Sequence, residues 1–277
     1  MADHHEFTVS KSPWGQNDEM GRLNLLTDES RAKIMSRVDG SRLFDLSSEY
    51  FVGMPTWSAL GDPSYQLYKT HDPAGDLIDN PAGLSGEANA LTSYTGDAIH
   101  MYTHSGTHLD ALNHFGCHGE IFNGFRHEDH VGSRAWDKCG VDVIPPVIAR
   151  GILLDVAAYK GLDQLPAGYG IGAADLAATA DIQGVEIAEG DVVLIRTGRF
   201  QEWPNPEKFL TDEPDATSRV RSGWSNRARC WWVRTTSPSN SFLPRTIRRG
   251  ARSTSTCSTR PVARSSKSST AKSSPKR

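Results

Sequence analysis

Four histidines and one aspartate lie close together within residues 100–114 and could support metal chemistry. They are His100, His104, His108, Asp110 and His114. Imidazole and carboxylate groups together are typical ligands of zinc, manganese or iron, and a shell of three protein ligands leaves a coordination position open for water or substrate. A divalent cation held in this way can lower the pKa of water to about 7, so that hydroxide forms at neutral pH. The cluster therefore predicts a metal-dependent enzyme.

The residues between the histidines predict how the ligands could converge. Gly106 permits a sharp turn after a strand over residues 98–103. Thr107 and Asp110 have the spacing of a capping box, although Asp stands where Glu or Gln is usual, and this spacing predicts a helix over residues 108–116. The ligands would then lie at the junction of a strand and a helix.

This junction suggests a role for each member of the cluster. His104 would lie at the end of the strand, and His108 and Asp110 in the first turn of the helix, so that three ligands meet at one point. His114 would follow Asp110 by one helical turn on the same face, close enough to exchange a proton with water at the metal. A single histidine is more often a buried, hydrogen-bonded side chain, but a His-x3-His-x-Asp-x3-His pattern around a turn favours a metal site.

The rest of the chain predicts an α/β domain that could hold this loop in place. The predicted elements are a helix capped by Thr27 and running to about Arg37, strands within residues 41–47, 147–156 and 190–198, and a helix that begins near Gly172. Strands that alternate with helices favour a mixed sheet with helical cover, although this pattern does not determine the order of the strands.

Charge is distributed very unevenly along the chain. Residues 1–217 contain all 33 acidic residues and only 15 of the 30 basic ones, a balance of −18, whereas residues 218–277 contain 15 basic residues and no Asp, Glu or His. The sequence therefore predicts a folded domain over residues 1–217 and a basic, Ser- and Arg-rich tail over residues 218–277 that is disordered and dispensable for stability. The tail could be an arm that binds nucleic acid or a stretch read out of frame, and its lack of acidic residues favours the second interpretation.

Several classes of protein are not supported by the sequence. No uninterrupted apolar run reaches the ~18 residues of a membrane span, and the N-terminus has neither the basic start nor the apolar core of a secretory signal. The four cysteines include no C-x-x-C pair, and no phosphate-binding G-x-x-x-x-G-K-[ST] motif occurs. We therefore expect a cytoplasmic protein with no membrane partner and no nucleotide cofactor.

The metal cluster also carries a resemblance to a known family. Its sequence H-S-G-T-H-L-D-A-L-N-H resembles the H-x-G-T-H-x-D-x-x-x-H signature of the cyclase-like metal-dependent hydrolases, which include bacterial kynurenine formamidase and isatin hydrolase. Further similar segments lie at residues 14–26, 53–57, 122–124 and 190–198, and the resemblance covers residues 12–203. It implies an α/β fold of the swivelling β/β/α type and a protein, usually oligomeric, that hydrolyses an amide or lactam C–N bond. Because the resemblance stops before the tail, the C-terminal part of the fold is expected to be incomplete.

The resemblance also implies a role for individual residues. The implied ligands of a divalent metal, Zn or Mn, are His104, His108 and Asp110. His114 corresponds to the catalytic proton shuttle. Trp57 lies where the formamidases have a substrate-binding tryptophan, although a core or surface aromatic is an equal alternative for it. The formamidases bind a second metal through a later His and Glu, but no His follows His130 and no Glu follows Glu213. A two-metal site is therefore not expected.

Three functions from different classes are compatible with these features. The leading hypothesis is an arylformamidase-like amidohydrolase that acts on an aromatic or cyclic amide such as N-formylkynurenine or isatin, as in tryptophan catabolism. The second keeps the metal site but assigns a cyclase or lyase reaction on a small carbonyl compound. The third is binding of nucleic acid by the basic tail, which would show a steep dependence on salt. The partners expected from the leading hypothesis are a small-molecule substrate and further copies of the chain in a homo-oligomer, without nucleic acid.

Overall fold

The computed structural model describes residues 9–57, 60–211, 214–216 and 231–234, all within the unit Met1–Ser241. Its strands are β1 (Gln66–His71), β2 (Gly96–His100), β3 (Gly151–Asp155), β4 (Gly170–Ile171), β5 (Val192–Arg196), β6 (Asp215–Ala216) and β7 (Trp231–Arg234). Its α-helices are α1 (Asp28–Met35), α2 (Pro73–Asp79), α3 (Gly86–Leu91), α4 (His127–His130), α5 (Val156–Tyr159), α6 (Ala173–Gln183) and α7 (Pro206–Phe209). Short 3-10 helices lie at Gly21–Leu25, Phe122–Gly124, Val141–Val143 and Arg199–Glu202. None of the helices in this described part is long and apolar enough to cross a membrane.

A parallel sheet with the strand order β3-β5-β7 contributes to the larger hydrophobic core. Ile152 and Leu154 of β3 are buried whereas Leu153 between them is exposed, because successive side chains of a strand point to opposite faces. Val193 and Ile195 of β5 are buried on the same face, since they pair with Ile152 and Leu154. Helix α6 packs in the same core cluster and covers the buried face.

Two smaller pairings complete the described sheets. Strands β4 and β6 pair in parallel, and β1 and β2 pair antiparallel with Gln66 opposite His100. Because β2 ends at His100, the β1–β2 pair leads directly into the loop that contains the candidate metal ligands.

A second hydrophobic cluster fixes a segment that borders the metal loop. Met54, Tyr65, Trp203 and Phe209 are buried against one another, and the rings of Trp203 and Phe209 meet edge to face at 5.0 Å. The indole N–H of Trp203 donates a hydrogen bond to the carbonyl oxygen of Glu49 at 2.9 Å. The segment between Glu49 and Met54 is therefore attached to the core at both ends.

Several predicted elements are confirmed. Helix α1 begins after Thr27, whose hydroxyl accepts a hydrogen bond from the backbone N–H of Ser30 at 3.2 Å, as an N-cap does. Strands β3 and β5 lie within the apolar runs at residues 147–156 and 190–198, and α6 begins directly after Gly172.

Other predictions are wrong or lie outside the described residues. Residues 41–47 alternate like a strand but form none, because no other described segment pairs with them, and Leu43 is 95% exposed. The predicted boundary near Thr217 is outside the described residues, and so is most of the predicted tail. Within the tail, Trp231–Arg234 form β7 and pair with β5, and the disorder expected of residues 218–277 as a whole stays a prediction.

Candidate metal centre

Three of the predicted ligands approach one another closely. Nδ1 of His104 lies 2.7 Å from Oδ1 of Asp110 and 2.9 Å from Nε2 of His108, and the same His108 nitrogen lies 3.2 Å from Oδ1 of Asp110. The three side chains are 13%, 21% and 32% exposed for His104, His108 and Asp110. They form the one group of His, Cys, Asp or Glu side chains within the described residues that could hold a metal ion.

The protonation of these groups explains why a cation fits between them. Nδ1 of His108 lies 3.0 Å from the carbonyl oxygen of Gly106. A carbonyl oxygen only accepts hydrogen bonds, so Nδ1 carries the proton and Nε2 presents its lone pair to His104 and Asp110. A lone pair and a carboxylate oxygen repel each other at this distance unless a proton or a cation lies between them. Two imidazoles and one carboxylate are also a ligand set that suits zinc or manganese.

The backbone reaches this geometry through a turn and not through the predicted helix. Residues 108–116 form no helix, because both members of the expected capping box have other partners. The hydroxyl of Thr107 accepts from the backbone N–H of Ser48 at 2.9 Å, and the N–H of Thr107 donates to the Ser48 hydroxyl at 2.8 Å. The carboxylate of Asp110 is turned towards the histidines. A tertiary contact has therefore replaced the local helix cap.

Gly106 has the positive φ that the predicted turn requires. Its φ is +63°, a backbone conformation that residues other than glycine rarely adopt. A Cβ at this position would also overlap the ring of Tyr50. The Tyr50 hydroxyl donates to the carbonyl oxygen of Ser105 at 3.0 Å. Tyr50 therefore holds the turn in place and leaves no room for a side chain at position 106.

His114 joins the cluster even though the helix is absent. Its ring stacks on that of His104, with the centroids 4.6 Å apart and the planes inclined by 20°. A single backbone hydrogen bond of 3.0 Å, from the N–H of His114 to the carbonyl oxygen of Ala111, forms the turn that brings it there. Burial lowers the pKa of His114; the carboxylate of Asp110 opposes this effect, whereas the neighbouring imidazoles of His104 and His108 add to it. The neutral imidazole, which can accept a proton, is therefore favoured at neutral pH.

Two further groups near the cluster, Asp110 and Tyr102, have shifted pKa values. Burial raises the pKa of Asp110, but the neighbouring imidazoles of His104 and His108 outweigh it and hold that pKa well below its usual range. Asp110 is therefore an anion at neutral pH. Burial raises the pKa of Tyr102, whose ring centroid is 5.8 Å from that of His104, and Asp62 and Asp110 add to the rise. Tyr102 is thus a protonated donor that the sequence reasoning missed, although it stands only two positions before His104.

Other candidate residues are not brought into the cluster. His100 is exposed at the end of β2. Trp57 is half-buried and follows the buried residue Thr56, but it has no described contact with the histidines, and its role in substrate binding stays a prediction. His130 belongs to a second polar stretch, where its Nδ1 lies 2.9 Å from Oδ1 of Asp137, so its partner is a carboxylate outside the metal loop.

Comparisons with known proteins agree with the fold. A sequence profile of the Cyclase family matches residues 44–238, and therefore includes β7 and continues beyond residue 217. A crystal structure described as a novel cyclase has a TM-score of 0.69 at 23% identity, over 81% of this chain and 75% of that chain. Isatin hydrolase A from Ralstonia solanacearum has a TM-score of 0.52 at 19% identity, over 79% of each chain. A search of curated protein sequences finds no match. The predicted α/β fold is confirmed.

Proposed function

We propose, from the premise that the chain belongs to the Cyclase family, that it is a metal-dependent hydrolase of a C–N bond in an aromatic or cyclic amide. The observation that carries the proposal is the approach of His104, His108 and Asp110 to within 3.2 Å of one another. The substrate class rests on the resemblance of the histidine motif and on a structural relative named isatin hydrolase A, since isatin is a cyclic aromatic amide.

The ligand set supports one divalent cation, zinc or manganese, held by His104, His108 and Asp110. When bound, such a cation supplies Lewis-acid polarisation of a carbonyl oxygen and lowers the pKa of water. Asp110 contributes the one negative charge of the ligand set, because it is ionised at neutral pH. The proton on Nδ1 of His108, which faces the Gly106 carbonyl oxygen, keeps the lone pair of Nε2 directed at the cluster.

His114 supplies the proton transfer that amide hydrolysis requires. A new bond forms between the water oxygen and the amide carbon, the C–N bond breaks, and one proton must pass from the water to the leaving nitrogen. The His114 ring stacks on that of His104, so its nitrogens lie beside the cluster without belonging to the ligand set. General acid–base transfer of this kind typically contributes about 10²–10⁴-fold in rate.

The same groups would also serve a cyclase or lyase, in which His114 removes a proton from carbon. The family's description as a cyclase is the observation that favours this second candidate. The two candidates differ in their products: hydrolysis adds the elements of water to the substrate, whereas cyclisation or elimination removes a small molecule or rearranges the carbon skeleton. Mass analysis of the product therefore separates them.

The test combines metal analysis with a substrate screen. The purified chain should contain about one divalent cation and should open isatin or deformylate N-formylkynurenine in a reaction that a chelator abolishes. His100→Ala is the matched control, because His100 lies in the same stretch but outside the cluster, and it should keep both metal and activity. Turnover that survives complete removal of metal would contradict the proposal.

A further inference from the structure

The metal loop is held at its ligand end by one set of hydrogen bonds. Ser48 exchanges two bonds with Thr107, at 2.8 and 2.9 Å, and Tyr50 donates to the carbonyl oxygen of Ser105 at 3.0 Å. These contacts lie between His104 and His108 in the chain. They therefore act on the part of the loop that carries the metal ligands.

The His114 end of the same loop is held by a different set of residues. The side-chain amide of Asn113 donates to the carbonyl oxygen of Lys138 at 3.0 Å. The ammonium group of Lys138 lies 2.7 Å from Oε1 of Glu19, and the backbone N–H of Cys139 donates to Oε2 of Glu19 at 2.8 Å. Both oxygens of Glu19 thus hold the segment to which the neighbour of His114 is bonded.

Glu19 itself stands on a well-anchored segment of chain. The adjacent Asp18 accepts a hydrogen bond from the side-chain amide of Asn24 at 2.7 Å, and its carbonyl oxygen accepts from Asn123 at 3.0 Å. Gly21, with a φ of +57°, lies so close to the loop that a Cβ there would stand 3.5 Å from a methyl group of Leu112. The segment around Glu19 is therefore packed directly on the residues that precede His114.

We propose that Glu19 is a positioning residue for His114, acting through Lys138 and Asn113, and that it has no part in holding the metal ligands. The inference rests on the proposed function, because proton transfer by His114 is what Glu19 would serve. Glu19 is four-fifths buried, with 19% of its side chain exposed, and both of its partners are donors. Replacement by Gln retains the shape but turns an NH2 group towards one of two donors, which must push the Lys138–Cys139 segment away.

The test compares two ends of one loop. Glu19→Gln should keep its full metal content and its KM but lose roughly 10- to 100-fold in kcat, because a small misplacement of a catalytic group has an effect of this size. Hydrogen exchange at the His114 amide should rise about tenfold or more in the metal-free and the metal-loaded protein, while exchange in β3 and β5 stays the same. Ser48→Ala should instead weaken metal binding. Glu128→Gln, which removes the same charge from an exposed ion pair with Arg126, should change none of these quantities.

Two outcomes would overturn the inference. If Glu19→Gln lowers the melting temperature and speeds exchange in β3 and β5 as much as at His114, with unchanged kcat for the folded fraction, its role is only structural. If the effects of Glu19→Gln and Asn113→Ala on His114 exchange add in the double variant, Glu19 does not act through Asn113. Should the wild-type chain lack hydrolase activity, the proposed function fails, but local exchange at His114 still decides whether Glu19 positions it.

Discussion

At the scale of single residues, the candidate site is defined by groups that repel each other unless a proton or a cation lies between them. The lone pair of His108 Nε2, the ring nitrogen of His104 and the ionised carboxylate of Asp110 stand within 3.2 Å of one another. A buried cluster of acceptors is expensive unless a proton or a metal neutralises it. The arrangement of these three groups is therefore stronger evidence for a metal site than the number of histidines in the chain.

The first prediction concerns the metal. His108→Ala removes one of three ligands and should reduce the metal content of the purified protein well below one ion per chain, as measured by elemental analysis. The fold should persist, because the anchors of the loop at Ser48 and Tyr50 do not involve the His108 side chain. A folded His108→Ala protein with full metal occupancy would show that the metal binds elsewhere.

The second prediction concerns proton transfer. His114→Ala should leave the metal content unchanged and lower kcat by about 10²–10⁴-fold, because the stacked ring of His114 lies beside the ligands and not among them. Metal content and steady-state kinetics must be measured on the same preparation. Loss of the metal in this variant would assign His114 to the ligand set.

At the scale of secondary-structure elements, the sequence is informative where neighbouring residues decide the structure. Helix α1 follows from its Thr27 cap, and α6 from the helix-forming residues after Gly172. The helix expected over residues 108–116 fails because Thr107 bonds to Ser48, which is 59 positions away and cannot be identified from local spacing. The strand expected at residues 41–47 fails for a related reason: the alternation of apolar and polar residues favours a strand, but it does not show whether another segment lies alongside to pair with it. What the sequence did predict correctly is that His104, His108 and Asp110 converge, since the turn at Gly106 brings them together without a helix. A second turn, closed by the hydrogen bond from His114 to Ala111, places the His114 ring against His104.

The third prediction tests the alternation of buried and exposed residues in β3. Leu154 is fully buried in the core cluster, so Leu154→Ala should lower the free energy of unfolding by about 2–5 kcal/mol. Leu153, its neighbour, is 48% exposed on the other face and is the matched control, for which a loss below about 1 kcal/mol is expected. Urea denaturation of both variants measures the difference. Equal losses would contradict the assigned faces of the strand.

The fourth prediction concerns the pH dependence of the start of α6. The carboxylate of Asp175 accepts from the backbone N–H of Gly172 at 2.9 Å and lies 2.5 Å from the ammonium group of Lys160. Burial raises the pKa of Asp175, but the hydrogen bonds from Lys160 and Gly172 outweigh it, so the net pKa is lowered. A lowered pKa in the folded state stabilises the protein above the unfolded-state value of about 3.9, and this contribution is lost as the pH falls through the folded-state pKa.

Asp175→Asn should therefore be less stable than the wild type at pH 7, and the difference should shrink as the pH falls below about 4. Urea denaturation at a series of pH values between 3 and 7 measures the effect. Asp28→Asn is a suitable control, because its ion pair with Arg31 is exposed and surface pairs contribute little. A stability difference between wild type and Asp175→Asn that is the same at every pH would contradict the assigned ion pair.

At the scale of the whole molecule, the change in composition near residue 217 and the end of the family match do not coincide. The acidic residues end before residue 218, whereas the family match continues to residue 238. Between these points lies β7, which pairs in parallel with β5 from Trp231 opposite Val192 to Arg234 opposite Ile195. A strand needs few residues and no acidic ones, so composition alone could not separate it from the basic stretch that surrounds it.

The fifth prediction compares two truncations at this end of the chain. Deletion of residues 242–277 leaves the unit Met1–Ser241 whole and should leave the melting temperature unchanged. Deletion of residues 218–277 also removes β7 and makes β5 an edge strand. At about 0.5–1.5 kcal/mol for each lost backbone hydrogen bond, a loss of roughly 2 kcal/mol is expected, which corresponds to a fall of about 4–8 °C in Tm for a chain of this size.

Differential scanning calorimetry of the full chain and both truncated forms measures these values, and the salt concentration must be the same in all three samples because the deletions change the net charge. Residues 242–277 carry ten basic and no acidic residues, so their removal also tests whether surface attraction to the acidic domain contributes to stability. A lower Tm in the shorter deletion at low salt that recovers at high salt would indicate such attraction. Identical melting temperatures for all three proteins would mean that the pairing of β7 with β5 adds nothing to stability, and the folded domain would then end near residue 217, where its acidic residues end.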